Sequence, residues 1–207
     1  MNILAVNCGS STLKFRLVEI DEGPIASGQE RSLAHGVVEE IGRSGVVDFT
    51  IEDGEPTTEA AAVANHAQAM RKVLDWLGSL DVVQTNGLGA VGHRVVHGGD
   101  LFMEPTLIDD RVIQSLEGLS NLAPLHNVPS LRAISEARSV LGQAVPMVAV
   151  FDTAFHSTLP AQASHYAISL ELAEKHRIRR YGFHGIAHRY MTERYAALIS
   201  SPVRPVR

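Results

Sequence analysis

The sequence is short of several features that would mark a class by themselves. It has one cysteine, Cys8, in 207 residues, so no intrachain disulfide can form and a reducing cytoplasm is expected. It has no run of about eighteen apolar residues, which argues against a membrane-spanning helix. Met1 is followed directly by a short apolar stretch from Asn2 to Asn7, without the basic start and long apolar core of a signal peptide. Positive charge is not in excess: 18 Lys and Arg against 23 Asp and Glu give a formal net charge of -5. Neither nucleic acid nor an anionic membrane is therefore expected as a partner. No internal repeat or low-complexity segment is present. What remains is 45% hydrophobic and 20% charged, the composition of a soluble globular protein. The chain is long enough for one large domain or two small ones with a proper core.

Periodicity divides the chain into strands first and then alternating helices and strands. Ile3 to Val6 is an apolar run ended by Gly9-Ser10-Ser11, and Leu13 to Ile20 alternates with Leu13, Phe15 and Leu17 on one face. The two runs read as an antiparallel hairpin. Further strands are expected over Pro24 to Arg31 and Val46 to Ile51, with Asp53-Gly54 as a turn. A helix is expected from a cap at Thr57 or Thr58, with Val63, Ala67, Met70, Leu74 and Leu77 as its buried stripe. Leu88 to Val96 reads as a buried strand. Helices follow over Asp109 to Leu119 and Asn127 to Leu141, the second with Val128, Leu131, Ile134 and Ala137 inward. Pro146 to Phe151 is an uninterrupted apolar strand of the kind covered on both faces. A last helix is expected from about Gly185 to Ile199. The class is α/β with a mixed sheet. The tail from Ser201 to Arg207, with two prolines, reads as a connection to something further.

Five segments carry possible chemistry, each with a plainer alternative. In Asn7-Cys8-Gly9-Ser10-Ser11-Thr12-Leu13-Lys14, turn amides, hydroxyls and a lysine can face an anion; an ordinary hairpin turn explains the same residues. Gly92 to Gly99 sets Arg94 inside an apolar strand, where its planar fork suits a carboxylate or phosphate and a structural ion pair suits it equally. His93 and His97 fall on one face of that strand, more simply as satisfied structural histidines than as metal ligands. In Leu122 to Asn127, Asn127 reads as a helix cap and His126 as a loop histidine where a ligand can be met. Asp152 lies just past the carboxyl end of a buried strand, where α/β sheets bind ligands, or serves an Asx-turn. Arg179 to His188 puts His184 between two glycines near a helix start, where backbone amides can face an anion.

Taken together and in this order, the segments resemble the acetate kinase family, of the acetate and sugar kinase, actin and hexokinase superfamily. The resemblance runs from Met1 to about Tyr195, with its closest matches at Gly92–Gly99, Leu122–Asn127, Phe151–His156 and Tyr181–His188. It implies an actin-like (ribonuclease H-like) ATPase fold, with an N-terminal domain at 1–150 and the start of a nucleotide-binding domain at 151–207. It implies reversible phosphoryl transfer from ATP to acetate, giving acetyl phosphate and ADP by direct in-line transfer. Magnesium, or manganese, would be the cofactor, acetate or another short carboxylate the acceptor, and a homodimer the state of the full-length protein. By position, Asn7 would lie near the metal, and Ser10 and Thr12 in the phosphate-facing turn. Lys14 would assist the nucleotide. Arg94 would hold the substrate carboxylate, with Val96, Leu125 and Phe183 around its methyl group. Asp152 would be the catalytic acid, His184 the histidine that stabilises the moving phosphoryl group, and His126 a further active-site histidine. A propionate kinase of the same family is the nearest alternative, and a non-catalytic half-protein the other.

The chain departs from the family pattern in four places. Ile186-Ala187 stands where the family usually has Thr-Ser, which removes two hydroxyls beside His184. Val128 stands where proline is common, and Thr12 replaces a serine. Family members are roughly twice as long, the size of two domains. The second half would carry the adenosine-binding segments, a second arginine and a metal-binding glutamate, so the isolated chain is expected to be inactive.

Overall fold

A computed structural model gives the structure, and it describes residues 1–20 and 30–199. The tail from Ser201 to Arg207 and most of the strand expected over Pro24 to Arg31 lie outside the described residues. Among the described residues eight strands form one sheet: β1 Asn2–Cys8, β2 Leu13–Glu19, β3 Arg31–Glu39, β4 Val46–Ile51, β5 Thr57–Ala60, β6 Ala90–Val95, β7 Thr106–Leu107 and β8 Met147–Phe151. Among the described residues seven helices accompany them: α1 His66–Gly78, α2 Asp81–Asn86, α3 Asp110–Gly118, α4 Pro124–Leu141, α5 Ala161–Ser164, α6 Leu170–His176 and α7 Gly185–Leu198. The strand order is β5-β4-β3-β2-β1-β6-β8-β7. β1, β6 and β8 run parallel at its centre, and every other pairing is antiparallel. The mixed α/β sheet expected from the sequence is the one found.

Strand alternation sets what each face of this sheet carries. Leu4, Val6, Leu13, Phe15, Leu17, Val91 and Val95 point to one face and are buried. α1 and α4 pack against each other and against the sheet there. Phe15, Phe49 and Trp76 form an aromatic knot on the same side, with ring centroids 4.8 to 5.8 Å apart. The other face carries Asn7, Lys14, Arg16, Gly92 and Arg94, all exposed or half-buried. β8 was expected to be covered on both faces. Its Met147, Ala149 and Phe151 are buried, while Val148 and Val150 on the other face are only half-buried.

Three local expectations are corrected. The segment at Thr57 is the edge strand β5, paired with β4, rather than a helix start. The Asp53-Gly54 turn closes a hairpin there, with Gly54 N–H donating to Ile51 O, and the paired threonines suit a strand. α1 begins eight or nine residues later, at His66, where Asn65 Oδ1 accepts the Gln68 N–H at 3.0 Å. Gln68 Oε1 in turn accepts the N–H of Ala64, one residue before the cap, so Asn65 and Gln68 together close the helix entry. α4 begins at Pro124, so Asn127 is no cap and His126 is no loop residue; both sit in the first turns of the helix. Proline favours that first position, where its missing N–H costs nothing. β6 ends at Val95, so His97 is not on the strand with His93.

Candidate active site

Strand register puts the first part of the site in a row. Asn7 on β1 is opposite Lys14 on β2 and beside Arg94 on β6, and Arg94 is beside Val150 on β8. All four lie on the face without α1 and α4, near the carboxyl ends of the parallel strands. Asp152 follows two residues after Val150 and so points to the same face; its N–H donates to Val95 O at 3.1 Å. A cavity of about 440 Å³ opens in front of the row, with Asn7, Lys14, Arg94, Val150 and Ile186 in its walls.

Arg94 and Asp152 meet directly. Arg94 Nε donates to Oδ2 of Asp152 at 3.1 Å and Nη2 reaches the same oxygen, while Nη1 donates to Asn7 Oδ1 at 2.9 Å. The structural ion pair therefore exists. It does not exhaust the arginine, which has five N–H groups in a fixed fork. Two remain uncommitted among the described residues, one on each Nη, and the arginine side chain is 26% exposed. Asp152 is 3% exposed. Its charge is held by the arginine, which suits a group that orients a cation.

The β1–β2 turn closes with Gly9 N–H donating to Thr12 O at 2.8 Å, and Ser10 is exposed while Thr12 is half-buried. The segment around His184 is clamped to the end of β8. Gly185 N–H donates to Asp152 O at 2.9 Å, and a Cβ at Gly185 would come within 2.2 Å of that oxygen. His156 Nε2 donates to Phe183 O at 2.9 Å. Gly182, at φ +77, leaves room for the His156 ring. Between these clamps His184 takes left-handed backbone, φ 57, an unusual conformation for a side-chain-bearing residue. It stands exposed at the start of α7.

A third corner gathers around His97. Asn127 Nδ2 donates to His97 O at 2.9 Å and its Oδ1 accepts the His97 N–H at 3.1 Å. That two-point clip ties the first turns of α4 to the end of β6. The ring of His97 packs edge-on to Phe183 with centroids 5.6 Å apart and to Tyr181 at 4.4 Å. Burial pushes the His97 pKa below its ordinary value. Its Nδ1 accepts the Gly99 N–H, so the ring is neutral with its proton on Nε2. The segments bearing Val96, Leu125, His126 and Phe183 thus meet at one corner. They do not form a closed apolar pocket: Val96 is buried, whereas Leu125 is 72% and Phe183 45% exposed. His126 is exposed.

Three further histidines fall outside the expected site. His93 is buried on the core side, with Nε2 unpartnered among the described residues, and burial pushes its pKa down to about 4. It is neutral at pH 7 with Nε2 unsatisfied among the described residues, which corrects the satisfied histidine expected from the sequence. His66 and His156 each hold a backbone carbonyl of a site turn; neither stood out in the sequence, because positioning bonds across 57 and 27 residues leave no local spacing. Cys8 is buried, and burial pushes its thiol up to about 12, so it is no nucleophile at neutral pH.

Comparison with known proteins places these observations. The model of the acetokinase family matches residues 2–207. The acetate kinase of Oceanobacillus iheyensis is 43% identical over 208 residues, covering 100% of this chain and 50% of that protein. The acetate kinase of Chloroherpeton thalassium is 42% identical, covering 96% of this chain and 50% of that protein. Among solved structures, the acetate kinase of Porphyromonas gingivalis superposes with TM-score 0.84 and 34% identity over 97% of this chain and 49% of that one. A propionate kinase from Francisella tularensis superposes with TM-score 0.82 and 34% identity, covering 49% of its own length. The fold is therefore the mixed-sheet, actin-like one expected. The chain spans about half the length of the curated relatives it matches.

Proposed function

The chain belongs to the acetokinase family, and we propose that it carries the acceptor side and one wall of the phosphoryl-transfer site of an acetate kinase. The observation that supports this most is the convergence of Lys14, Asn7, Arg94 and Asp152 on one open sheet face. In this reading residues 1–150 are the first domain and 151–207 begin the second.

The two uncommitted N–H groups of Arg94 take the acceptor carboxylate, while Asp152 fixes the plane of the guanidinium. Val96, Leu125 and Phe183 face the methyl end once the second half of the protein covers them. The acceptor is already ionised at neutral pH, so no strong base is required of Asp152. A carboxylate oxygen forms its bond to the terminal phosphorus of ATP as the bridging P–O bond breaks. The electron pair leaves on ADP. Charge spread over the three equatorial oxygens in transit is met by Arg94, Lys14, His184 and the turn at Ser10 and Thr12. His126 borders the acceptor end.

Magnesium, or manganese in its place, would neutralise phosphate charge when bound. Asn7 Oδ1 and the Asp152 carboxylate are oxygen donors of the kind magnesium takes, with phosphates and water completing the set. Among the described residues no group of three acidic, histidine or cysteine side chains could hold a metal unaided. The donor set fits an ion that arrives with the nucleotide.

The test is to join this chain to the second half of the Oceanobacillus iheyensis relative and assay acetyl phosphate made from ATP, magnesium and acetate. Turnover that disappears with Asp152→Asn is expected. A folded fusion that accepts only propionate moves the reading to propionate kinase, since one methylene in an apolar pocket is worth only about 1–3 kcal/mol. A folded fusion inactive on both acceptors contradicts the proposal.

A further inference from the structure

His66 is the first residue of α1, is 4% exposed, and has no part in the chemistry described above. Its Nε2 lies 2.8 Å from Gly9 O, and a carbonyl can only accept, so the ring donates. Burial pushes the His66 pKa below its ordinary value, which leaves a neutral ring with its proton on Nε2. An apolar ring would fill the same space without the cost of burying a polar group. The hydrogen bond is therefore the property that distinguishes histidine here.

Its consequence follows from peptide geometry. In a trans peptide the C=O and the following N–H point in opposite directions. Holding Gly9 O toward α1 turns the Ser10 N–H away from α1. Ser11 O is held in the same way, by the Ile41 N–H at 3.0 Å, which turns the Thr12 N–H outward. Gly9 N–H closes the turn onto Thr12 O. The N–H groups of Ser10, Ser11 and Thr12 have no acceptor among the described residues. Successive unpartnered amides of this kind form a concavity for anions.

We propose that His66 is a positioning residue for the phosphate-facing turn: its imidazole holds the Gly9 carbonyl and so aims the Ser10 amide at a phosphate, beside the Thr12 amide that the Ile41–Ser11 bond sets. The proposal rests on the reading of that turn as a phosphate site. The bond reaches 57 residues along the chain, so it couples the start of α1 to the turn that it supports.

The test uses the chain itself, titrated with inorganic pyrophosphate and followed by amide NMR, as wild type, His66→Phe and His66→Gln. In the wild type, saturable shifts are expected at Ser10, Ser11 and Thr12. His66→Phe should weaken the titration by about tenfold or more, and His66→Gln, which keeps an N–H donor, should stay within about threefold. Core amides such as Leu4 and Val91 report that both variants keep the fold. Equal titration of His66→Phe and wild type overturns the role of His66 and leaves the phosphate reading intact. No response in the wild type removes that reading and the proposal with it. Should His66→Phe fail to fold, the ring nitrogen spectrum of the wild type decides: a slowly exchanging Nε2–H supports the proposal, and an Nδ1–H tautomer overturns it.

Discussion

The strands with α1 to α4, up to Phe151, and the segment from Asp152 to Ile199 differ in how they treat apolar side chains. In the first part Leu4, Leu13, Leu17, Met70, Leu77 and Ile134 are fully buried, and they join one continuous core. In the second part the only buried hydrophobic residue is Ala173. Along α7, Tyr190, Met191, Tyr195 and Leu198 are 58%, 65%, 61% and 78% exposed. The start of α7 is fixed through Gly185 at the end of β8 and through His188 packed against Phe155 and His156. The contrast teaches that the sheet face bearing Arg94 stands on a self-sufficient core, whereas the segment bearing His184 has its apolar surface still to cover. We propose that the second half of the family's length covers it.

Substitution can break that contrast most sharply. Phe151→Ala at the sheet centre should cost about 4 kcal/mol, and Leu198→Ala on α7 less than about 0.5 kcal/mol, both by denaturant unfolding. Similar costs at the two positions would erase the distinction. Next in size is the effect of acid on the core. His93 has a folded pKa of about 4 against an ordinary 6.5, so the neutral form is the one the fold favours. Its contribution is fully present above pH 6.5 and is lost as pH falls from there toward 4. The loss amounts to roughly 3 kcal/mol. Stability curves of wild type and His93→Leu, measured across that window, should separate as the pH falls, the wild type losing what the leucine variant keeps; parallel curves would remove His93 as the cause. Smaller again is Asn127→Ala, which leaves the His97 N–H and C=O unpartnered and should cost about 2 kcal/mol. Thermal unfolding unchanged by that variant would show that the clip between β6 and α4 is dispensable.

How much of this was readable beforehand depended on how local each signal was. The β1–β2 hairpin, β8 and α7 were legible because alternation, an apolar run and a glycine each act within a few residues. The ordering of chemical segments was legible through resemblance. The start of α1 is not legible at Thr57 because Asp53-Gly54 and two threonines serve a helix entry or a hairpin equally, and pairing with β4 decides for the hairpin. Asn127 looked like a cap because capping and a buried two-point clip use the same amide; only the position of β6 separates them. The tie between Arg94 and Asp152 was open as an ion pair from sequence. The roles of His66 and His156 were invisible, since both depend on a backbone carbonyl that the fold brings in from far along the chain.

The account turns on Arg94 offering its free edge to a carboxylate from the open face of the sheet. Titration of the chain with acetate, followed by amide and arginine side-chain NMR, tests this directly. The account predicts saturable shifts of the Arg94 guanidinium and of Val96 and His97, abolished by Arg94→Ala while core amides stay in place. An Arg94 signal indifferent to acetate, or shifts that survive Arg94→Ala, would contradict it.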